Sequence, residues 1–317
     1  MAYQTTELDL DAAMRLAARN KSRKYPDQED ARYRDGLIFP NINPSFTIHP
    51  SSSVFTIGSC FARNIEEALV AKGVSVPSLR YTPAKGEETG RPNTVLNQYN
   101  LGSMCEVVES TMVQGEISGG LYDLGDGTAF DALVNSFVAK VEMGRAIERR
   151  QQLLELYRSG LAESSTIVVT LGLIETWYDM KDEVYLNSFP PMSVLRAEKG
   201  RFVFRRLGVA DCLDLGRRLL RCFAADQARN VVLTVSPVPL GSTFTDQDCA
   251  VANTASKTVL RVVAEQLAAE FDYVDYFPSY EMVTLSGLEN YEADNMHVRS
   301  DVVHRVVSYM LSHYMPG

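Results

Sequence analysis

Two short stretches of the sequence hold residue types suited to nucleophilic chemistry. In the first, the apolar run Val54 to Ile57 leads through Gly58-Ser59-Cys60 into Phe61 to Lys72, where Ile65, Ala68 and Leu69 recur at helical spacing and Gly73 can end the helix. Cys60 therefore belongs at a helix N-terminus. There, free backbone amides and the positive end of the dipole are expected to favour thiolate over thiol and lower its pKa. The same amides would suit a developing oxyanion. A small cysteine buried at a tight turn is the plainer alternative, and the strand-to-helix position tells against it. In the second stretch, Asp294-Asn295-Met296-His297 precedes Ser300 and Asp301, which can cap the last helix. An aspartate three residues before a histidine in a turn can hold one imidazole nitrogen and leave the other to take a proton from a nucleophile. His304 and His313 fall in the final helix and His49 precedes Pro50, so His297 is the candidate base by elimination.

The elements that must position these groups are legible as an alternation. Strand-like runs at Val54 to Ile57, Ile167 to Leu171, Val231 to Val235 and Tyr273 to Tyr276 interleave with helical periodicity at 61–72, 130–157, 212–225, 256–271 and 301–314. Continuous β-branched runs belong to strands buried on both faces. The pattern predicts a three-layer α/β/α domain with a mostly parallel sheet, whose ligands sit beyond the carboxyl ends of the strands. Residues 1–45 read as an N-terminal extension and 46–317 as one domain. Insertions are expected near 77–160 and 178–206, where Pro- and Gly-rich loops (77–100, 178–206) could wall a pocket.

Composition narrows the functional classes. The chain has 317 residues, 45% of them hydrophobic and 22% charged, which is ordinary globular usage. Its net charge of −9 opposes the attraction that dominates nucleic-acid binding. No long apolar run suggests membrane insertion, and the polar first twenty residues do not read as a secretory signal. Five scattered cysteines suit free thiols, so a cytoplasmic location is expected. Neither a dinucleotide or phosphate-loop motif nor a metal-ligand spacing occurs, so no cofactor and no metal are assigned.

The stretch Phe55-Thr-Ile-Gly-Ser-Cys-Phe-Ala-Arg-Asn-Ile-Glu66 resembles the defining motif of the GSCFA family, a branch of the SGNH/GDSL-type hydrolase clan. The blocks Thr170 to Trp177, Thr234 to Leu240, Val251 to Lys257 and Val274 to Glu281 look like later family blocks in the expected order, so the resemblance spans roughly residues 54 to 310. It implies a flavodoxin-like α/β/α fold with a nucleophile after the first strand and an Asp-x-x-His near the C-terminus, which Asp294 and His297 match. Aligning the clan's Gly-Asp-Ser on Gly58 puts Cys60 at the nucleophile position and leaves Ser59 as its rival. The clan's oxyanion hole uses the nucleophile's amide, a glycine amide and an asparagine side chain. Gly172-Leu-Ile-Glu175 stands where that block belongs, but the asparagine is missing.

Glu175, when ionised, only accepts hydrogen bonds and cannot hold an oxyanion. It could instead position a substrate hydroxyl, pair with Lys257, or merely finish a strand. Asn100 is a substitute donor or else an Asx-turn residue. Trp177 and Tyr178 could stack on a sugar or belong to the core. Ser236 and Pro237 could shape a pocket floor. The expected function is acyl transfer by Cys60, His297 and Asp294 on an ester of a small molecule or carbohydrate, with water or a hydroxyl as acceptor and an acyl thioester as possible donor. The alternative is a binding protein, for a carbohydrate or a partner, that keeps this scaffold without activity. The sequence leaves oligomeric state open.

Overall fold

The computed structural model describes residues 6–87, 90–112, 119–135 and 138–316. The strands that concern the site are β1 (Val54–Gly58), β2 (Thr166–Leu171), β3 (Glu175–Asp179), β4 (Val184–Leu186), β5 (Phe202–Arg206), β6 (Asn230–Val235) and β7 (Val274–Tyr276). The helices that concern the site are α1 (Cys60–Ala71), α2 (Leu101–Met112), α3 (Met143–Glu163), α4 (Val209–Phe223), α5 (Cys249–Glu270) and α6 (Ser300–Tyr314). The strand order β7-β6-β2-β1 forms a four-stranded sheet with every pairing parallel; Phe55 lies opposite Ile167, and Val231 opposite both Ile167 and Val274.

Side chains alternate across this sheet as a twofold period requires. Phe55, Ile57, Ile167, Val169, Leu233 and Val235 face one way, into an apolar layer with Leu101, Leu154, Leu219 and Leu260 of α2 to α5. Val54, Val168 and Val232 face the other way, against Ile65 and Leu69 of α1 and Val306 and Met310 of α6. Helices thus cover both faces, giving the three-layer α/β/α architecture anticipated from the β-branched runs. Leu37 and Phe39, from the segment read as an extension, are buried in the α1/α6 layer.

Two features anchor α1, and with it Cys60. At the end of β1, Gly58 has φ +148, and a Cβ there would stand 2.6 Å from Thr170 Cβ and 2.8 Å from its carbonyl oxygen. Only glycine allows the turn to lie this close to β2. One turn into the helix, the fully buried Arg63 and Glu66 form an ion pair 2.5 Å long, and Glu66 also accepts from Thr56 of β1, Ser78 and Asn93. Removing one partner alone would strand a buried charge, at a cost of about 3–5 kcal/mol.

The structure departs from the sequence reading in three stretches. The loop expected over 178–206 contains β4 and β5, which flank β3 in a small antiparallel sheet with Trp177 opposite both Leu186 and Phe204. Its strands are short and separated by Pro190, Pro191 and Gly200, which reads as loop in a linear scan. The helix α2 had no counterpart because Gly102 and Ser103 weaken its first turn. Gly102 is there for packing, since a Cβ would fall 2.3 Å from the Tyr185 ring. The helix expected from Phe130 begins only at Met143, and Ala129–Asp131 pairs as a strand with Leu121–Asp123; residues 136 and 137 of that stretch lie outside the described residues. Among the described residues, no helix is long and apolar enough to cross a membrane.

Candidate active site

A cavity of about 470 Å³ opens at the carboxyl ends of β1, β2 and β6. Ser59 and Cys60 enter it from the β1–α1 turn, Gly172 and Leu173 from beyond β2, Ser236 from the end of β6, and Met296 and His297 from the loop before α6. Residues 237 apart in sequence therefore share one cavity wall, and of the four histidines only His297 lines it.

Asp294 organises its own loop. Its Oδ1 accepts the backbone N–H groups of Met296 at 2.9 Å and His297 at 3.0 Å, and its Oδ2 lies 2.6 Å from His297 Nδ1. Asn295 takes φ +54, a left-handed conformation that asparagine tolerates and a tight turn needs. These bonds hold the Asp294 carboxyl down at about 2, the imidazole bond contributing most. With Nδ1 engaged, Nε2 is the ring nitrogen left for proton transfer; among the described residues it has no hydrogen-bond partner. The pair is open to solvent, with the imidazole 67% exposed, so incoming groups reach it directly.

Cys60 is the first residue of α1, as its place in the sequence predicted, but its thiol does not behave as expected. Burial pushes the pKa up, and this outweighs the downward pull of the Cys60 and Phe61 amides, the Ser59 hydroxyl and Arg91. Helix-terminal amides stabilise a thiolate only against what desolvation removes, and here most of the surrounding water is gone. The resting group is the thiol, so iodoacetamide should label Cys60 slowly at pH 7 and reach half-maximal rate above the roughly 8.5 of an ordinary cysteine. A midpoint below that value would contradict the assignment.

Ser59 is buried, with Oγ 3.4 Å from Ser236 Oγ. Asn100 reaches the cavity wall, yet its Oδ1 caps α2 by accepting Ser103 N–H at 2.9 Å, and its Nδ2 donates to the Leu186 carbonyl at 3.0 Å. This is the Asx-type capping role. Gly172 is pressed against Tyr99, whose carbonyl oxygen would lie 2.5 Å from any added Cβ. Neither the Gly172 N–H nor the Cys60 N–H donates to a backbone carbonyl among the described residues.

Glu175 does not pair with Lys257. Its Oε1 accepts the Thr243 hydroxyl at 2.7 Å and its Oε2 the Phe244 N–H at 3.1 Å, so it fixes the loop that follows β6. Lys257, fully buried on α5, donates instead to the Gly172 carbonyl at 2.8 Å. The other deeply buried cations, Arg63, Arg149, Arg150 and Arg229, all have carboxylate partners. Burial lowers the Lys257 pKa from 10.5 to about 7, opposed by the negative charge of an ionised Cys60. A base whose folded pKa is depressed binds its proton more weakly folded than unfolded, so this group makes the protein more stable as pH rises from 7 towards 10.5. From pH 7 to 9 the gain is on the order of 2 kcal/mol, and Lys257→Met should lack it. Urea unfolding of both proteins at the two pH values measures the difference; equal pH dependence would mean that Lys257 stays charged in the fold.

A family model matches residues 53–310, about four-fifths of the chain. This chain belongs to the GSCFA family. No curated protein matches it. Within the GSCFA match lie all the cavity-lining residues named above, from Ser59 to His297. Sequence reasoning did not single out Phe189, Phe204 and Phe244, which join Trp177 in the cavity wall; no single motif contains them, and nothing in their local spacing marks them.

Proposed function

We propose that this protein is an acyl-transfer enzyme, an esterase or O-acyltransferase, with Cys60 as nucleophile, His297 as general base and acid, and Asp294 as the group orienting the imidazole. What supports this reading above all is that a helix-terminal cysteine and an aspartate-held histidine, far apart in sequence, line one cavity. In the first half-reaction Cys60 Sγ bonds to the ester or thioester carbonyl carbon as its proton passes to His297 Nε2. The oxyanion that forms is received by the Cys60 and Gly172 N–H groups, neither of which donates to a backbone carbonyl among the described residues. Collapse breaks the bond to the leaving oxygen or sulfur, which takes the proton from His297, and leaves a thioester on Cys60.

In the second half-reaction water or a hydroxyl gives its proton to His297 and attacks that thioester. Collapse expels the Cys60 sulfur, which recovers the proton. Because the resting thiol is protonated, the base must act during the attack itself. Asn100 and Glu175 support the cavity wall in this scheme, and Ser59 stands beside the nucleophile without taking its place. Turnover of an activated ester by wild type, Cys60→Ala, Ser59→Ala and His297→Ala tests the reading. Loss in the Cys60 and His297 variants alone is expected; equal rates in all four would end it.

A further inference from the structure

Four aromatic rings from four separate segments meet on the cavity wall: Trp177 of β3, Phe204 of β5, Phe189 beyond β4, and Phe244 in the loop after β6. Ring centroids lie 5.0 Å apart for Trp177 and Phe189, 5.1 Å for Trp177 and Phe244, and 5.0 Å for Phe189 and Phe244. Phe204 completes the group at 5.7 Å from Trp177 and 5.6 Å from Phe244. Phe189 is 38% and Phe244 49% exposed, so apolar ring surface faces the cavity and its mouth with nothing covering it. Among the described residues, the carboxylate that lines this cavity is Glu175, which accepts from Thr243 and from the backbone of Phe244 itself. It fixes the loop that carries the Phe244 ring.

From this we infer that the aromatic cluster is an acyl-chain subsite, selecting apolar acyl groups longer than acetyl for transfer through Cys60. The inference rests on the acyl-transfer reading and adds the substrate class. A sugar ring is the poorer occupant, because it needs a flat face and hydrogen-bond partners around its rim. Here the Trp177 ring has three phenylalanines packed against it at tilts of 56° to 87°. An alkyl chain needs only apolar surface, and each methylene it buries is worth about fourfold in affinity. The acceptor would then approach from the exposed His297 side, where polar groups and solvent are available.

Trp177 is the single tryptophan of the chain, so its emission reports on the cluster directly. In the Cys60→Ala protein, which does not consume an ester, methyl hexanoate should shift or quench that emission saturably, whereas methyl acetate and glucose should not. Phe244→Ala, a change at a half-exposed ring that the fold should tolerate, should weaken the hexanoate response by about tenfold. In wild type, kcat/KM for 4-nitrophenyl esters should rise at least tenfold from acetate to hexanoate, and Phe244→Ala or Phe189→Ala should flatten that ratio. A response to glucose but not hexanoate, or a chain-length profile that is flat or favours acetate, overturns the subsite. Because the emission titration needs no turnover, a subsite that binds hexanoate in an inactive protein separates failure of the acyl-transfer reading from failure of this one.

Discussion

Cys60→Ala is expected to lower kcat for an activated ester by about a thousandfold or more, with little change in stability. The magnitude follows from deleting the atom that forms the covalent intermediate, which leaves only the binding surface and the oxyanion donors to assist direct attack by water. Cys60 is only partly enclosed, so loss of its sulfur opens no sealed cavity, and thermal unfolding should show the fold intact. Ser59→Ala is the informative control. Its hydroxyl points to Ser236 and contributes only a secondary pull on the Cys60 thiol, so the loss should stay within about tenfold. Reversal of the two effects would move the nucleophile one residue along the turn.

His297→Ala should cost a comparable factor, about a thousandfold, because a thiol that burial keeps protonated cannot attack at neutral pH without a base. Since the two residues act as one unit, the Cys60→Ala/His297→Ala double variant should be no slower than the worse single variant. Asp294→Asn should cost less, about tenfold to a hundredfold, because the amide oxygen can still accept the Met296 and His297 N–H groups while the carboxylate bond to Nδ1 is lost. The sign of the pH effect follows from the lowered Asp294 pKa. A carboxyl whose folded pKa is depressed contributes its interaction above the unfolded value, near 3.8, and loses it only as pH falls towards about 2. Activity lost at milder acidity therefore does not arise from protonation of Asp294. Multiplicative losses in the double variant would contradict the concerted role.

The parts of the site legible in the sequence are those encoded by a few consecutive residues. Gly58-Ser59-Cys60 announced a strand-to-helix turn because an apolar run, a glycine and a helical period adjoin there. Asp294 to His297 announced its turn because the aspartate binds groups only two and three residues away. The α/β layering was legible because strands buried on both faces carry no polar alternation. What escaped depends on distant segments meeting. The aromatic wall draws on β3, β5 and two loops, and the partners of Lys257 and Glu175 lie 85 and 68–69 residues away. The protonation of Cys60 escaped for a related reason: helix-terminal amides can be read from the sequence, but the burial that outweighs them depends on what packs around the turn.

The most direct test of the central claim is the intact-protein mass after incubation with acyl thioesters such as hexanoyl-N-acetylcysteamine, followed by peptide mapping. The account predicts a single acyl adduct that maps to Cys60, is released by hydroxylamine, and is absent from Cys60→Ala and strongly reduced in His297→Ala. An adduct on Ser59, or equal acylation of the Cys60→Ala protein, would contradict it.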